Sequence, residues 1–168
     1  MKTEQENIIL NDKQIKSKLK RISYQIVEAN MKNSELIIAG IESNGYMIAK
    51  EIQKIIISIS QLDVKLCKVT IDKKDPRKPI KTSLNEAEYS NQSIVLVDDV
   101  LNSGSTLIYG VKHFLNVELK QFKTAVLVNR NHKKFPVKAD FKGISLSTSI
   151  QNHVIVEFKG SKIQTTIV

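Results

Sequence analysis

The sequence predicts an α/β fold: a doubly wound parallel sheet flanked by helices, with a small β-rich lobe appended. Three observations predict it. Short continuous apolar runs have the length of strands covered on both faces, segments of helical apolar spacing separate them, and the chain from residue 141 onward alternates instead. In order, Asn11-Asp12 can cap a first helix in which Ile15, Leu19, Ile22 and Ile26 recur at helical spacing to about Asn30. Residues 36–41 (LIIAGI) form a buried strand. A turn of Glu42, Ser43, Asn44 and Gly45 leads into a second helix carrying Ile48, Ile52, Ile55 and Ile56. Residues 64–71 are the next strand, followed by a basic loop to about Lys81. Residues 93–97 (SIVLV) are a further buried strand that ends in Asp98-Asp99. A helix then covers residues 105–115, and residues 124–128 are a strand. In the tail, Val154, Val156 and Phe158 share one face of a strand, and the appended lobe is expected to begin at about residue 130. Pro76, Pro79 and Pro136 all fall in expected loops.

A chain of 168 residues suffices for one domain with its own core, and residues 1–168 are expected to form one. No stretch approaches the roughly 20 apolar residues that span a bilayer. The charged beginning lacks a small-residue cleavage site, so a cytoplasmic location without membrane contact is expected. A single cysteine, Cys67, excludes an internal disulfide framework and a Cys-clustered zinc site. The 26 Lys and Arg exceed the 17 Asp and Glu, a net charge of +9. That excess suits a nucleic acid, a polyanionic small molecule, or simply a solvated surface. It gathers in a first-helix group (Lys13, Lys16, Lys18, Lys20, Arg21), a loop (Lys73, Lys74, Arg77, Lys78, Lys81) and a second loop (Arg130, Lys133, Lys134, Lys138).

Ligands of such sheets bind beyond the carboxyl ends of the strands, near the point where strand order reverses. Residues 94–106 read IVLVDDVLNSGST. Four apolar residues bring the chain through the core, and two carboxylates then face the crevice, able to accept hydrogen bonds from a sugar diol. After Val100 and Leu101, the run Asn102, Ser103, Gly104, Ser105, Thr106 offers backbone N–H groups, hydroxyls and a helix N-terminus, which suit a phosphate. A strand followed by a capped helix would use some of these residues, but the whole run closely resembles the 5-phosphoribosyl-1-diphosphate (PRPP) motif of type I phosphoribosyltransferases. Residues 125–143 in turn resemble the pyrimidine-operon attenuators (PyrR type), a branch that pairs regulatory RNA binding with uracil phosphoribosyl transfer.

The resemblance implies transfer of the phosphoribosyl group from PRPP to a base, most simply uracil, with Mg2+ held mainly by PRPP, near Asp98, and no metal ligand set of the protein's own. It implies that Asp98 and Asp99 meet the ribose hydroxyls, that Val100 to Thr106 form the phosphate loop, and that Glu42, Ser43, Asn44 and Gly45 meet pyrophosphate. Lys73 and Arg77 would act from a closing lid, Arg130 would border the substrate, Phe141 would stack on the base, and the Lys142 backbone would read its edge. It also implies RNA as a partner and a homodimer or larger assembly. The chain departs from the branch in several places. Glu42-Ser43-Asn44-Gly45 stands for a lysine-threonine-arginine-glycine turn, Asn102 for a tyrosine and Ser105 for an arginine. Hypoxanthine-guanine enzymes carry an aspartate at the Asn102 position, and its absence argues against a standard purine enzyme. A regulator that uses the site to sense a nucleotide is the second reading. His113 and His153 lack ligand spacing and are expected to be structural. His132, in the second basic loop, has a counterpart in the family resembled and is read either as a residue at the edge of the site or as a surface histidine. Cys67 lies in an apolar strand pattern, as a buried small hydrophobe does.

Overall fold

The computed structural model describes residues 7–168. Its main sheet has six strands in the order β4-β3-β2-β5-β6-β7, and a second sheet has three, β1-β9-β8. In chain order the elements are β1 (Asn7–Leu10), α1 (Asp12–Ala29), β2 (Glu35–Ile41), α2 (Asn44–Ile59), β3 (Asp63–Thr70), β4 (Lys81–Thr82) and α3 (Glu86–Tyr89). They continue with β5 (Ser93–Leu101), α4 (Ser105–Phe114), β6 (Gln121–Arg130), β7 (Phe141–Leu146), β8 (Val154–Lys159) and β9 (Lys162–Ile167).

The central strands are parallel, β2 to β3, β2 to β5, β5 to β6 and β6 to β7. The two middle strands, β2 and β5, are covered on both faces, which is why residues 36–41 and 94–97 read as unbroken apolar runs. On β5, Val95 and Val97 pack with Ile15, Leu19, Ile48 and Ile52 of α1 and α2. The alternate residues Ile94 and Leu96 pack with Leu107 and Phe114 of α4 and with Tyr89. Each such fully buried aliphatic side chain contributes about 1.5–3 kcal/mol. Helix α1 begins as expected: the Asn11 side chain accepts from Gln14 N–H at 2.9 Å, and the Gln14 side chain accepts from Asn11 N–H at 2.9 Å, two reciprocal caps.

Three features differ from the sequence expectation. Strand β5 does not stop at Val97 but runs on through both acids to Leu101. Strand β7 joins the main sheet beside β6, so the second sheet does not take the whole chain from about residue 130; it takes β8, β9 and, from the other end, β1. Helix α3 and the short strands β1 and β4 lay outside the expectation. Among the described residues, no helix is long and apolar enough to cross a membrane.

Candidate active site

The order of the sheet reverses between β2 and β5: β3 lies on the far side of β2, and β6 on the far side of β5. The two strands run parallel with Gly40 opposite Val97, so their carboxyl ends open side by side. A cleft of about 320 Å³ lies there, lined by Lys73, the continuous run from Asp98 to Leu107, Val126 and Val154. Asp98, Asp99, Val100, Leu101, Asn102, Ser103, Gly104, Ser105, Thr106 and Lys73 are therefore brought together.

Local backbone chemistry shapes the cleft. Gly104 holds φ at 86°, the left-handed region where a side chain is strained, and so turns the chain from β5 into α4. The Ser103 carbonyl accepts from the Lys134 and Phe135 N–H groups at 2.8 and 3.1 Å, seating the 131–137 loop over that turn. On the other side, a Cβ on Gly45 would lie 2.7 Å from the Val97 carbonyl oxygen and 2.9 Å from Asp98 Cα. Only glycine lets the start of α2 approach β5 so closely. The Glu42–Ser43 peptide that precedes it is cis.

Successive residues of a strand alternate in direction, yet both acids line the cleft at the end of β5. Asp98 is buried and continues the row of Ile94 and Leu96. Burial first, and then the neighbouring Asp99 charge, push its carboxyl up to about 7, although Lys73 pulls the other way. Asp99 instead accepts from the Asn44 side-chain amide at 3.1 Å, and the same amide donates to the Val156 carbonyl of β8 at 2.8 Å. Asn44 thus ties the α2 turn, an acid of the cleft and the second sheet together. Lys73 Nζ lies 3.4 Å from Asp98 and 3.8 Å from Asp99. Burial works against the Lys73 ammonium, but the two carboxylates outweigh it and hold its pKa above the ordinary lysine value.

Other expected residues sit elsewhere. Glu42 turns to the β3 edge, where Thr70 donates to it at 2.8 Å and Lys68 pairs at 3.2 Å; those bonds hold its carboxyl below the usual range. Ser43 and Gly45 border the cleft without lining it. Arg77 pairs with Asp75 at 3.0 Å and lines a separate cleft with Tyr109 and Lys112. Phe141 is buried opposite Ala125, on the α1 face of the sheet. The cleft is bordered instead by the next residue of β6, Val126, whose side chain lies on the other face, and the Phe141 ring does not line it. The Lys142 carbonyl accepts from Arg21 at 3.1 Å and does not line the cleft. Arg130 is buried behind Asn102. Val126, Val154 and Leu107 line the cleft without having been expected to; their only signal in the sequence is apolarity, which core residues share.

The sequence pattern of the phosphoribosyl transferase domain matches residues 5–159. The chain belongs to that family. Among curated relatives of this phosphoribosyltransferase-family chain, the "Bifunctional protein PyrR" of Streptococcus mutans is 32% identical over 93% of this chain and 89% of its own. That of Streptococcus pyogenes is 29% identical over 94% and 91%. Solved structures give the same fold, the type I phosphoribosyltransferase fold. A hypoxanthine-guanine phosphoribosyltransferase from Bacillus anthracis superposes with TM-score 0.71 at 17% identity, covering 84% of this chain and 82% of that one. The hypoxanthine phosphoribosyltransferase of Trypanosoma cruzi gives 0.76 at 13% identity, with 95% of both chains covered. Family membership makes this chain a pentosyltransferase by class, with PRPP and a nucleobase as the substrates the family implies.

Proposed function

We propose that the chain transfers the 5-phosphoribosyl group of PRPP to a nucleobase, uracil by preference, and releases pyrophosphate. One observation carries the reading: an acidic pair, Asp98 buried and Asp99 half-buried, and a helix-start loop of small hydroxyl residues share a single cleft at the reversal of the sheet. In this reading Asp98 and Asp99 accept from the ribose hydroxyls and face the positive charge that develops at the anomeric carbon. Residues Ser103 to Thr106 offer N–H and hydroxyl donors to the 5′-phosphate. The turn from Glu42 to Gly45 meets pyrophosphate through backbone groups, and Lys73, freed from the acids, supplies the cation the turn lacks. The base lies against Val126 and Val154. Positioning and charge carry the reaction, and no covalent nucleophile is required.

Magnesium fits this residue set as a partner of the substrate. Two carboxylates border the cleft, and among the described residues no group of three or more ligating side chains gathers anywhere. Mg2+ is usually held by one or two carboxylates together with substrate phosphates. When bound, it neutralises the leaving pyrophosphate; Asp98 or Asp99 would hold it, and Lys73 must then leave them.

The test is a product assay with PRPP, Mg2+ and uracil, hypoxanthine, guanine, xanthine or adenine. Nucleotide formed from uracil above the others is expected, and no nucleotide from any base would sink the proposal. Asp98→Asn with Asp99→Asn should abolish turnover while the far-ultraviolet spectrum stays unchanged; surviving activity would remove the two acids from their role. A second reading, regulation through RNA, is supported by the exposed Lys13, Lys16, Lys20 and Arg21 of α1, which lie outside the cleft lining, and by relatives named bifunctional. It extends the proposal to an RNA partner and to a homodimer or larger assembly in the cytoplasm, which light scattering would check.

A further inference from the structure

The loop from Ser103 to Thr106 is held from behind by a second turn. Residues 131–140 connect β6 to β7 and pass over the start of α4. Within them the Val137 N–H donates to the Phe135 carbonyl at 2.9 Å, a γ-turn centred on Pro136, whose ring fixes φ near the value such a turn requires. The far end is anchored as well. Thr124 Oγ1 donates to the Lys138 carbonyl at 2.6 Å, and the Thr124 N–H donates to Asp140 Oδ2 at 2.9 Å. From this braced segment two consecutive N–H groups, those of Lys134 and Phe135, converge on the Ser103 carbonyl at 2.8 and 3.1 Å. A carbonyl oxygen has two lone pairs, and both are engaged.

The direction of the next N–H follows. The Ser103–Gly104 peptide is trans, so its N–H points opposite to its carbonyl. With the carbonyl directed at the 131–140 segment, the Gly104 N–H is directed away from it, toward the cleft that Gly104 lines. Gly104 is buried, and its N–H has no hydrogen-bond partner among the described residues. Buried N–H groups without a partner are rare, so this one calls for an acceptor from outside the chain. The turn also bears on the α-carbon itself: a Cβ on Gly104 would lie 2.6 Å from Val137 Cγ1.

We propose that the turn around Pro136 is a positioning element for the reaction: by holding the Ser103 carbonyl, it aims the Gly104 N–H at a phosphate monoester in the cleft. Lys134 and Phe135 act through their backbone N–H groups. The Lys134 side chain is exposed and does not line the cleft, so its charge has no part in the contact. A donor aimed in advance needs no reorganisation when the anion arrives. The inference rests on the transferase reading for the nature of the ligand, a 5-phosphoribosyl group, but binding and resonance test it without turnover, so the two can fail separately.

The experiment titrates ribose 5-phosphate into the full chain, by calorimetry and by following the Gly104 amide resonance in glycine-labelled protein. In the wild type that amide proton should move downfield as the sugar phosphate binds. Lys134→Pro removes the shorter of the two bonds to Ser103; affinity should fall at least about tenfold, as the loss of a hydrogen bond to a charged group does, and the Gly104 shift should shrink. Lys134→Ala keeps the N–H and removes the charge, so it should stay within about twofold of the wild type, because a charge that does not touch the phosphate is screened. Pro136→Gly frees the turn without removing a donor and should weaken binding by an intermediate factor. Thermal unfolding of each variant separates loss of the fold from loss of aim; if Lys134→Pro does not fold, Pro136→Gly and Lys134→Ala carry the comparison. No binding of ribose 5-phosphate by the wild type, a Gly104 amide that stays still as it binds, wild-type affinity in folded Lys134→Pro or in Pro136→Gly, or an equal fall in Lys134→Ala would each overturn the proposal. Nucleotide formation with a dispensable turn would remove this proposal alone. Ribose 5-phosphate held through Gly104 with no nucleotide formed from any base would remove the transferase reading alone.

Discussion

A carboxylate at the end of a buried strand opposes the fold once it ionises, and Asp98 is such a group. Its carboxyl is pushed up to about 7, chiefly by burial, from an ordinary value near 3.8. Between those values the folded chain holds a proton that the unfolded chain has released. The stability is fully present below the lower value and is lost as pH rises through about 7. Asp98→Asn removes the ionisation, so the variant should melt above the wild type at pH 8, by on the order of a few kcal/mol, and the gap should close toward pH 4. Fluorimetric melting across that range checks the sign; equal melting at both ends would contradict it. The catalytic consequence runs the opposite way, because only the ionised acid can face positive charge. Turnover should rise with pH through about 7. Lys73→Met, which removes the cation that pulls Asp98 down, should move that rise to higher pH in a pH–rate profile.

At the scale of elements, the site depends on how closely α2 approaches β5. A methyl group on Gly45 would meet backbone atoms, which cannot swing aside. Gly45→Ala should therefore destabilise the chain by about 1–3 kcal/mol in urea unfolding and raise the KM for PRPP as the turn withdraws from the acids. The elements that build this junction were legible in the sequence. β2 and β5 are apolar on both faces because helices cover both, and α1 carries its own reciprocal cap at Asn11 and Gln14. The motif on β5 was legible because two acids directly after a buried run have no place in a core. Phe141 was misread for a physical reason: its environment is set by pairing with Ala125, a parallel contact that no local pattern records. β1 escaped because four residues, two of them exposed, make no periodicity. Helix α3 could have been found, since Asn85 and Glu88 form the same reciprocal cap as Asn11 and Gln14. The hydrogen bond from Arg130 to Asn102 joins residues far apart in the chain, and spacing alone does not reveal it.

Over the whole molecule, the charge of +9 divides between cleft and surface. Lys73 is engaged with the acids, whereas Lys13 and Lys20 stand exposed on α1 without an acidic partner among the described ion pairs. If RNA is a partner, Lys13→Glu with Lys20→Glu should weaken its binding at least tenfold and lower the slope of log affinity against log salt by about 2, with kcat for nucleotide formation unchanged. Filter binding across a salt series reads both. An unchanged slope would leave the α1 charge as solvated surface. The order of the sheet has a further consequence, in time. β5 pairs on one side with β2, across α2, β3, β4 and α3, and on the other with β6, across α4. Both flanks are contacts between remote parts of the chain, so loop closure must come before either rewards it. The strand bearing the acids is thus the seam on which refolding waits. Truncating its apolar residues, as in Val95→Ala, should slow refolding more than equal truncations in β8 or β9, which should mainly hasten unfolding.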